Sequence, residues 1–324
     1  MSASPPAAQP RVSIVVPFFD EEATVEAFGR ELGAALAAIP DCGFEIVCVD
    51  DGSRDATRER LQALAARDPR YVVVALSRNF GKEAALTAGI DHATGDAVVP
   101  MDADLQDPPE LLPQLIAEWR AGAEVVLAHR SDRSAESFLK RGVAGLFYKV
   151  YNRLSDLPLP ENVGDFRLMD RAAVDALRQL PERQRFMKGL FAWVGFRTRS
   201  IEYKRRARAG GRSRFTGLRL WNFALDGITS FSTLPLRIWS YIGLLGALVS
   251  FSYGAYILLR TLVLGVDVPG YASLLAATLF VGSVQLLSIG ILGEYIGRIY
   301  METKQRPKYI VRSVTRGARS SPGG

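Results

Sequence analysis

Short apolar runs alternate with amphipathic stretches through the first half of the chain. Val12-Ser13-Ile14-Val15-Val16-Pro17 is β-branched and ends at proline, which predicts a buried strand. Asp20, Glu21 and Glu22 follow at the positive end of a predicted helix carrying Val25, Phe28, Leu32 and Leu36 at helical spacing. Residues 44–49 predict a second strand, which stops at Asp50-Asp51-Gly52-Ser53. Gly52 permits a tight turn there, and Ser53 or Asp51 is placed to cap a helix carrying Leu61 and Leu64. The same logic gives strands at 71–76 and 97–100 and helices at 83–92 and 111–119. Residues 123–130 read as another strand, 164–169 as a strand or loop, and 171–180 as a helix. This is the pace of βαβ units, so the fold class is α/β, a mostly parallel sheet with helices on both faces.

Farther along, the polar positions vanish. From Ile238 to Leu259 there are 22 residues without a charge, and from Val268 to Gly293 there are 26. At about 1.5 Å per residue either run is long enough for a hydrocarbon core of roughly 30 Å. The connector with Arg260, Asp267 and Pro269 makes them a hairpin. Two segments, one basic and amphipathic and one aromatic, precede this region in the sequence. Residues 138–154, with Arg141 on the polar side, form a helix suited to a lipid surface or to the domain's own core. Residues 215–236 read as an interfacial helix, or as an ordinary helix closing the soluble domain.

The expected organisation is a disordered lead (1–10), a cytoplasmic catalytic domain (11–214), an interfacial segment (215–236), two spans at about 238–260 and 270–293 within 237–297, and a basic tail (298–324). Seven cations from Arg298 to Arg319 follow the second span, and a basic stretch ending at Arg237 precedes the first. By the positive-inside rule both ends face the cytoplasm, giving a multi-pass protein of a bacterial inner membrane. The net charge of +6 sits in blocks beside the spans, where it reads as a topology and lipid signal rather than a nucleic-acid footprint. Cys42 and Cys48 give no disulfide framework, and the Ala/Pro/Ser-rich lead has no signal-peptide core. Gly293 and Gly297 are spaced for close helix approach, which leaves a homo-oligomer open.

The candidate chemistry gathers where the predicted strands end. Asp50, Asp51, Asn79, Lys82, Asp102, Asp104 and Arg130 all follow or end strands, at the edge where open α/β sheets bind ligands. Met101-Asp102-Ala103-Asp104-Leu105-Gln106-Asp107-Pro108 can bring two carboxylates, and Gln106 as a neutral oxygen, onto one Mg²⁺ or Mn²⁺ shared with a diphosphate. The plainer reading is an acidic loop in which Asp107 caps the helix opened by Pro108 and Pro109. No glycine-rich phosphate loop is present, which disfavours NTP hydrolysis and hydride transfer.

Together, Val15-Val16-Pro17-Phe18-Phe19-Asp20-Glu21-Glu22, Val49-Asp50-Asp51-Gly52-Ser53-Arg54-Asp55, Asn79-Phe80-Gly81-Lys82, the acidic stretch from Met101 and Gly164-Asp165-Phe166-Arg167-Leu168 resemble the motif set of family 2 glycosyltransferases. The nearest branch loads a sugar onto a polyprenyl phosphate, as bactoprenol (undecaprenyl-phosphate) glycosyltransferases and dolichyl-phosphate mannose synthases do. The resemblance implies a nucleotide-sugar-binding GT-A (Rossmann-like) domain followed by interfacial helices and a two-helix transmembrane hairpin. It implies that Pro17, Asp50 and Asp51 hold the nucleotide, and Asn79 and Lys82 are expected to bind the nucleotide sugar with them. Asp102 would contact nucleotide and sugar, and Asp104 with Gln106 would hold the metal. Asp165 stands where the family places a candidate catalytic base. A phosphate monoester has its second pKa at about 6 and needs no base at neutral pH, so orienting a hydroxyl or the acceptor is the alternative. Arg130, Arg141, Arg212 and Arg214 would meet phosphate of donor or acceptor; for Arg212 and Arg214 a plain membrane-surface charge patch is the alternative. UDP-glucose is the expected donor, with GDP-mannose or a modified UDP-pentose as alternatives; whether a separate flippase moves the product is left open.

Two rivals remain. A processive polysaccharide synthase shares the nucleotide-sugar domain but normally has more spans and a Q-x-x-R-W element, and Gln184-Arg185-Phe186-Met187-Lys188 lacks the tryptophan. A non-catalytic membrane-tethered nucleotide-binding scaffold would be expected to have lost the acidic residues, which are present.

Overall fold

A computed structural model describes residues 9–131, 163–183, 185–203, 234–264 and 270–317. Elements are numbered over those residues. The first half runs β1 (Arg11–Phe18), α1 (Val25–Ala37), β2 (Gly43–Asp50), α2 (Thr57–Arg67), β3 (Tyr71–Leu76), α3 (Lys82–His92), β4 (Ala97–Pro100), a 3₁₀ turn (Pro109–Leu111) and α4 (Leu112–Arg120). Then follow β5 (Val125–Arg130), β6 (Val163–Asp170), α5 (Arg171–Gln179), α6 (Met187–Trp193), β7 (Thr198–Tyr203), α7 (Leu234–Leu264), α8 (Tyr271–Thr303) and β8 (Val311–Arg316).

The sheet order is β7-β5-β6-β4-β1-β2-β3-β8. Strands β4, β1, β2 and β3 are parallel, whereas β6 runs antiparallel to both of its neighbours β4 and β5. That reversal positions the site. The start of β6 lies at the same edge as the ends of β4 and β5, so Gly164 and Asp165 come to the ends of the parallel strands. Side chains alternate through the sheet as the two-residue period requires. Val12, Ile14, Val16 and Phe18 of β1 join a core under α1, α2 and α4, while Val15 joins the one under α3, α5 and α6. The helical spacing on α1 is realised, with Val25, Phe28, Leu32 and Leu36 all buried.

Local details differ from the sequence expectation. Neither Ser53 nor Asp51 caps α2; Asp55 accepts from the Thr57 amide (3.0 Å), because Ser53 Oγ and Asp51 are taken by other backbone amides. Asp107 does not cap the helix after the prolines either, since its carboxylate turns inward to Tyr203 Oη.

The C-terminal segment is more than a basic tail. β8 adds to the free edge of β3 in antiparallel register, with Val74 opposite Val314. Side chains reinforce the join: Tyr309 Oη donates to Asp91 (2.9 Å), Lys308 Nζ to the Leu180 carbonyl (3.1 Å), and the Arg183 amide to Glu302 of α8 (2.8 Å). The end of α8 is therefore fixed to the α/β domain. α7 starts at Leu234, with Pro235 in its first turn where a missing N–H is tolerated. Helices of 31 and 33 residues extend about 46 and 50 Å. Among the described residues, Phe280–Thr303 is long and apolar enough to cross a membrane, and Tyr241–Tyr256 is a shorter apolar stretch. Phe251, Leu262, Phe280 and Leu286 each expose more than two thirds of their surface. Segments 138–154 and 215–233 lie outside the described residues.

Candidate active site

The turn after β2 is built first. Asp50 is fully buried; it accepts from Arg58 Nε (2.9 Å) and from the Ser53 amide (3.0 Å). Asp51, also buried, accepts from the Phe80 (2.7 Å) and Gly81 (2.9 Å) amides and so ties this turn to the start of α3. Burial pushes the Asp51 carboxyl up and the two amides pull it back. Gly52 between these loops is at φ +69°, and a Cβ there would meet the Arg78 carbonyl carbon at 2.5 Å. Only glycine fits. Asn79 is exposed at the rim and Pro17 half-buried opposite Val49.

The acidic turn alternates. Met101, Ala103 and Leu105 are buried in the core, while Asp102, Asp104 and Gln106 are half-exposed between them. Leu105 takes φ +56°, and the Gln106 amide donates to Asp104 Oδ1 (3.1 Å). Three oxygen-bearing side chains are thus left partly open to solvent within one turn. Among the described residues no group of three or more His, Cys, Asp or Glu side chains is placed to enclose a metal. Two carboxylates and an amide oxygen leave a hard divalent ion short of its six ligands, which fits an ion completing its shell with diphosphate oxygens.

Lys82 opens α3 and lies at the centre of the site. Its ammonium stands 2.7 Å from Asp102 Oδ1 and 2.7 Å from Asp165 Oδ2, so it bridges two carboxylates from separate strands. Sequence reading placed Lys82 with the nucleotide sugar; the structure sets its ammonium between Asp102 and Asp165 at the edge where that ligand is expected. Burial opposes ionisation of Asp165, but Lys82, Lys188 and Arg167 more than offset it and hold the carboxyl well below the usual range. Arg167 is buried beneath, donating to the Gly164 carbonyl (2.7 Å) with its guanidinium 4.2 Å from the Phe191 ring centre. Burial lowers it to about 10, with Asp165 acting the other way. Glu83, half-buried beside Lys82, accepts from the Met187 amide at the start of α6 (3.1 Å). Burial, then the nearby Asp165 charge, push it up to about 7.

Arg130, Lys82, Asp102, Asp104, Gln106 and Asp165 therefore share one edge, and Asp50 and Asp51 shape the loops behind it. Arg141, Arg212 and Arg214 lie outside the described residues. Sequence reading missed Glu83, Tyr203 and Lys188. Glu83 was legible only as one more acid in a helix's first turn, and Tyr203 ends a strand whose residues are otherwise mostly exposed.

A sheet of this order, acidic at its carboxyl edge and joined to an apolar helical pair, defines a class. A family model described as glycosyl transferase family 2 matches residues 13–178, and one described as the GtrB C-terminal hairpin matches residues 234–299. The chain belongs to glycosyl transferase family 2, and the GT-A domain expected from its motifs is the α/β sheet described above. The SfII prophage-derived bactoprenol glucosyl transferase of Shigella flexneri is 54% identical over 307 residues, covering 95% of this chain and 99% of its own length. The prophage bactoprenol glucosyl transferase homolog of Escherichia coli K12 is 53% identical over 304 residues, covering 94% and 99%. Among solved structures, glucosyl-3-phosphoglycerate synthase of Mycobacterium tuberculosis, in complex with Mn²⁺, UDP and glucosyl-3-phosphoglycerate, aligns with a TM-score of 0.48 and 21% identity over 68% of this chain and 78% of that one.

Proposed function

We propose that the protein transfers glucose from UDP-glucose to a polyprenyl phosphate of the undecaprenyl type, with inversion, at the cytoplasmic face of a bacterial inner membrane. The observation that carries this reading is the near full-length identity to relatives named bactoprenol glucosyl transferase, catalytic domain and hairpin included.

The residues divide the work. Pro17, Asp50, Asp51 and Asn79 form the wall for base and ribose, with Asp50 and Asp51 acting through the loops they fix. Asp102, Asp104 and Gln106 hold Mg²⁺ or Mn²⁺, which when bound neutralises charge on the departing diphosphate. A phosphate oxygen of the lipid attacks the anomeric carbon from the face opposite the leaving diphosphate, so the configuration inverts. That oxygen is already anionic near neutral pH, because the second pKa of the monoester is about 6. Asp165 is a weak base in this setting, since Lys82 keeps it ionised, and it serves to orient a sugar hydroxyl. Arg130, with Arg141, Arg212 and Arg214, meets the phosphates.

The hairpin brings this edge to the lipid headgroup and replaces a three-dimensional search with a local one. Both helix ends on the domain's side, as β8 pairing with β3 and the positive-inside rule support, give a two-span topology with a cytoplasmic C-terminus. A homo-oligomer and a separate flippase are compatible partners.

The test is transfer of label from UDP-glucose, with GDP-mannose in parallel, into organic-extractable undecaprenyl phosphate by the purified full chain. Labelled lipid from UDP-glucose is expected; lipid labelled only from GDP-mannose would overturn the donor assignment. Nucleotide binding with no labelled lipid from any common nucleotide sugar would favour a scaffold.

A further inference from the structure

β7 is mostly exposed until its last residue. Tyr203 alone is buried, at 5% exposure, and a buried phenol must place its hydroxyl. Tyr203 Oη donates to Asp107 Oδ1 (2.5 Å) and accepts from Arg130 Nε (3.2 Å). Phe166 braces the ring edge-on, with centroids 6.2 Å apart, and both the amide and the hydroxyl of Ser131 donate to the Tyr203 carbonyl (2.9 and 3.1 Å). The phenol is thus a fixed link between a buried carboxylate of the acidic turn and the guanidinium that ends β5.

Gly164 supplies the other constraint. A Cβ at that position would come within 2.8 Å of Arg130 Nη2, so the guanidinium lies over bare backbone next to Asp165. With Nε committed to Tyr203, the Nη end of the fork is the part directed along this edge. An arginine fork so held matches the geometry of a phosphate and loses little freedom on binding one.

We propose that Tyr203, Asp107 and Gly164 are positioning residues that aim the Arg130 guanidinium at a phosphate group of the reaction, on the donor or on the acceptor. The inference rests on the transferase reading above and names how that site holds its anion. Sequence reading gave these three residues no such role: Asp107 was a cap, Gly164 a motif letter and Tyr203 unmarked.

A double-mutant cycle tests it. Tyr203→Phe keeps the ring and removes the hydroxyl, and should lower kcat/KM about 10-fold, as loss of a hydrogen bond to a charged group does. In an Arg130→Gln background the same change should matter less than about twofold. Since Tyr203→Phe also deprives buried Asp107 of a donor, Gly164→Ala is the companion variant. The nearest atoms to its added methyl group all belong to the Arg130 guanidinium and none to backbone, so the clash falls on the group under test. Gly164→Ala should lower kcat/KM alone and be silent beside Arg130→Ala. A rise in KM confined to the lipid phosphate assigns the anion to the acceptor, and one confined to the nucleotide sugar assigns it to the donor. Losses that multiply in the double variants overturn the proposal.

If the wild-type chain transfers no sugar, the transferase reading fails and the cycle is read instead on calorimetric affinity for pyrophosphate. There, weakening by Tyr203→Phe that vanishes with Arg130→Gln upholds the positioning role, and unchanged affinity overturns it.

Discussion

Replacing Lys82 with methionine removes a cation that touches both Asp102 and Asp165. Each contact is 2.7 Å. At an effective dielectric of about 20, unit charges about 4 Å apart attract by about 4 kcal/mol. The lysine is about half exposed (47%), whereas Asp102 and Asp165 are 25% and 15% exposed. Screening at the lysine and desolvation of the acids reduce the net contribution to about 1–3 kcal/mol. The pH dependence has a fixed sign. In the wild type the Asp165 pKa is depressed, so its stabilisation is complete above the unfolded value of about 3.9 and is lost as pH falls through the folded value. In Lys82→Met that pKa rises. The stability gap between the proteins should therefore be widest above about pH 5 and narrow below about pH 4. Thermal unfolding of the full chain in detergent from pH 3 to 8 reads the gap, and the transfer rate should fall at least about 10-fold, as loss of a preorganised charge does. Equal stability at pH 7 with activity within twofold of wild type would refute the reasoning.

Three further outcomes are expected. Gly52→Ala forces a Cβ to within 2.5 Å of the Arg78 backbone at φ +69°, and should lower stability by about 1–3 kcal/mol in thermal unfolding. Asp51→Asn weakens the link to the Phe80 and Gly81 amides, and should cost about 1–3 kcal/mol and raise the KM for nucleotide sugar; an unchanged KM would contradict the loop-shaping role. Glu83 is raised to about 7 in the folded state, so wild-type stability should decline as pH rises from about 5 to 7, a slope that Glu83→Gln should flatten.

The sequence made β1 to β4 legible because their β-branched runs are short, bounded and buried on both faces. The D-x-D-x-Q turn was legible from its place between a short apolar run and an amphipathic segment; its alternation of buried and half-exposed positions was not, because it lies in a turn rather than a strand. Lys82 was picked out as a site residue, but its contact with Asp165 was not legible, since that carboxylate is 83 residues away and arrives only because β6 runs antiparallel to its neighbours. β8 was missed because Val-Arg-Ser-Val-Thr-Arg is an edge strand carrying two charges, a pattern that composition reads as tail. Tyr203 was invisible on the same grounds: β7 gives no apolar alternation. Long-range pairing, rather than local propensity, decided all three.

The most direct measurement is label transfer from UDP-glucose to undecaprenyl phosphate by wild type and Asp104→Asn, each with and without EDTA. Chelator-sensitive labelling by the wild type and none by the variant is predicted. Transfer that survives both EDTA and Asp104→Asn would contradict a metal-bearing acidic turn at the heart of the site.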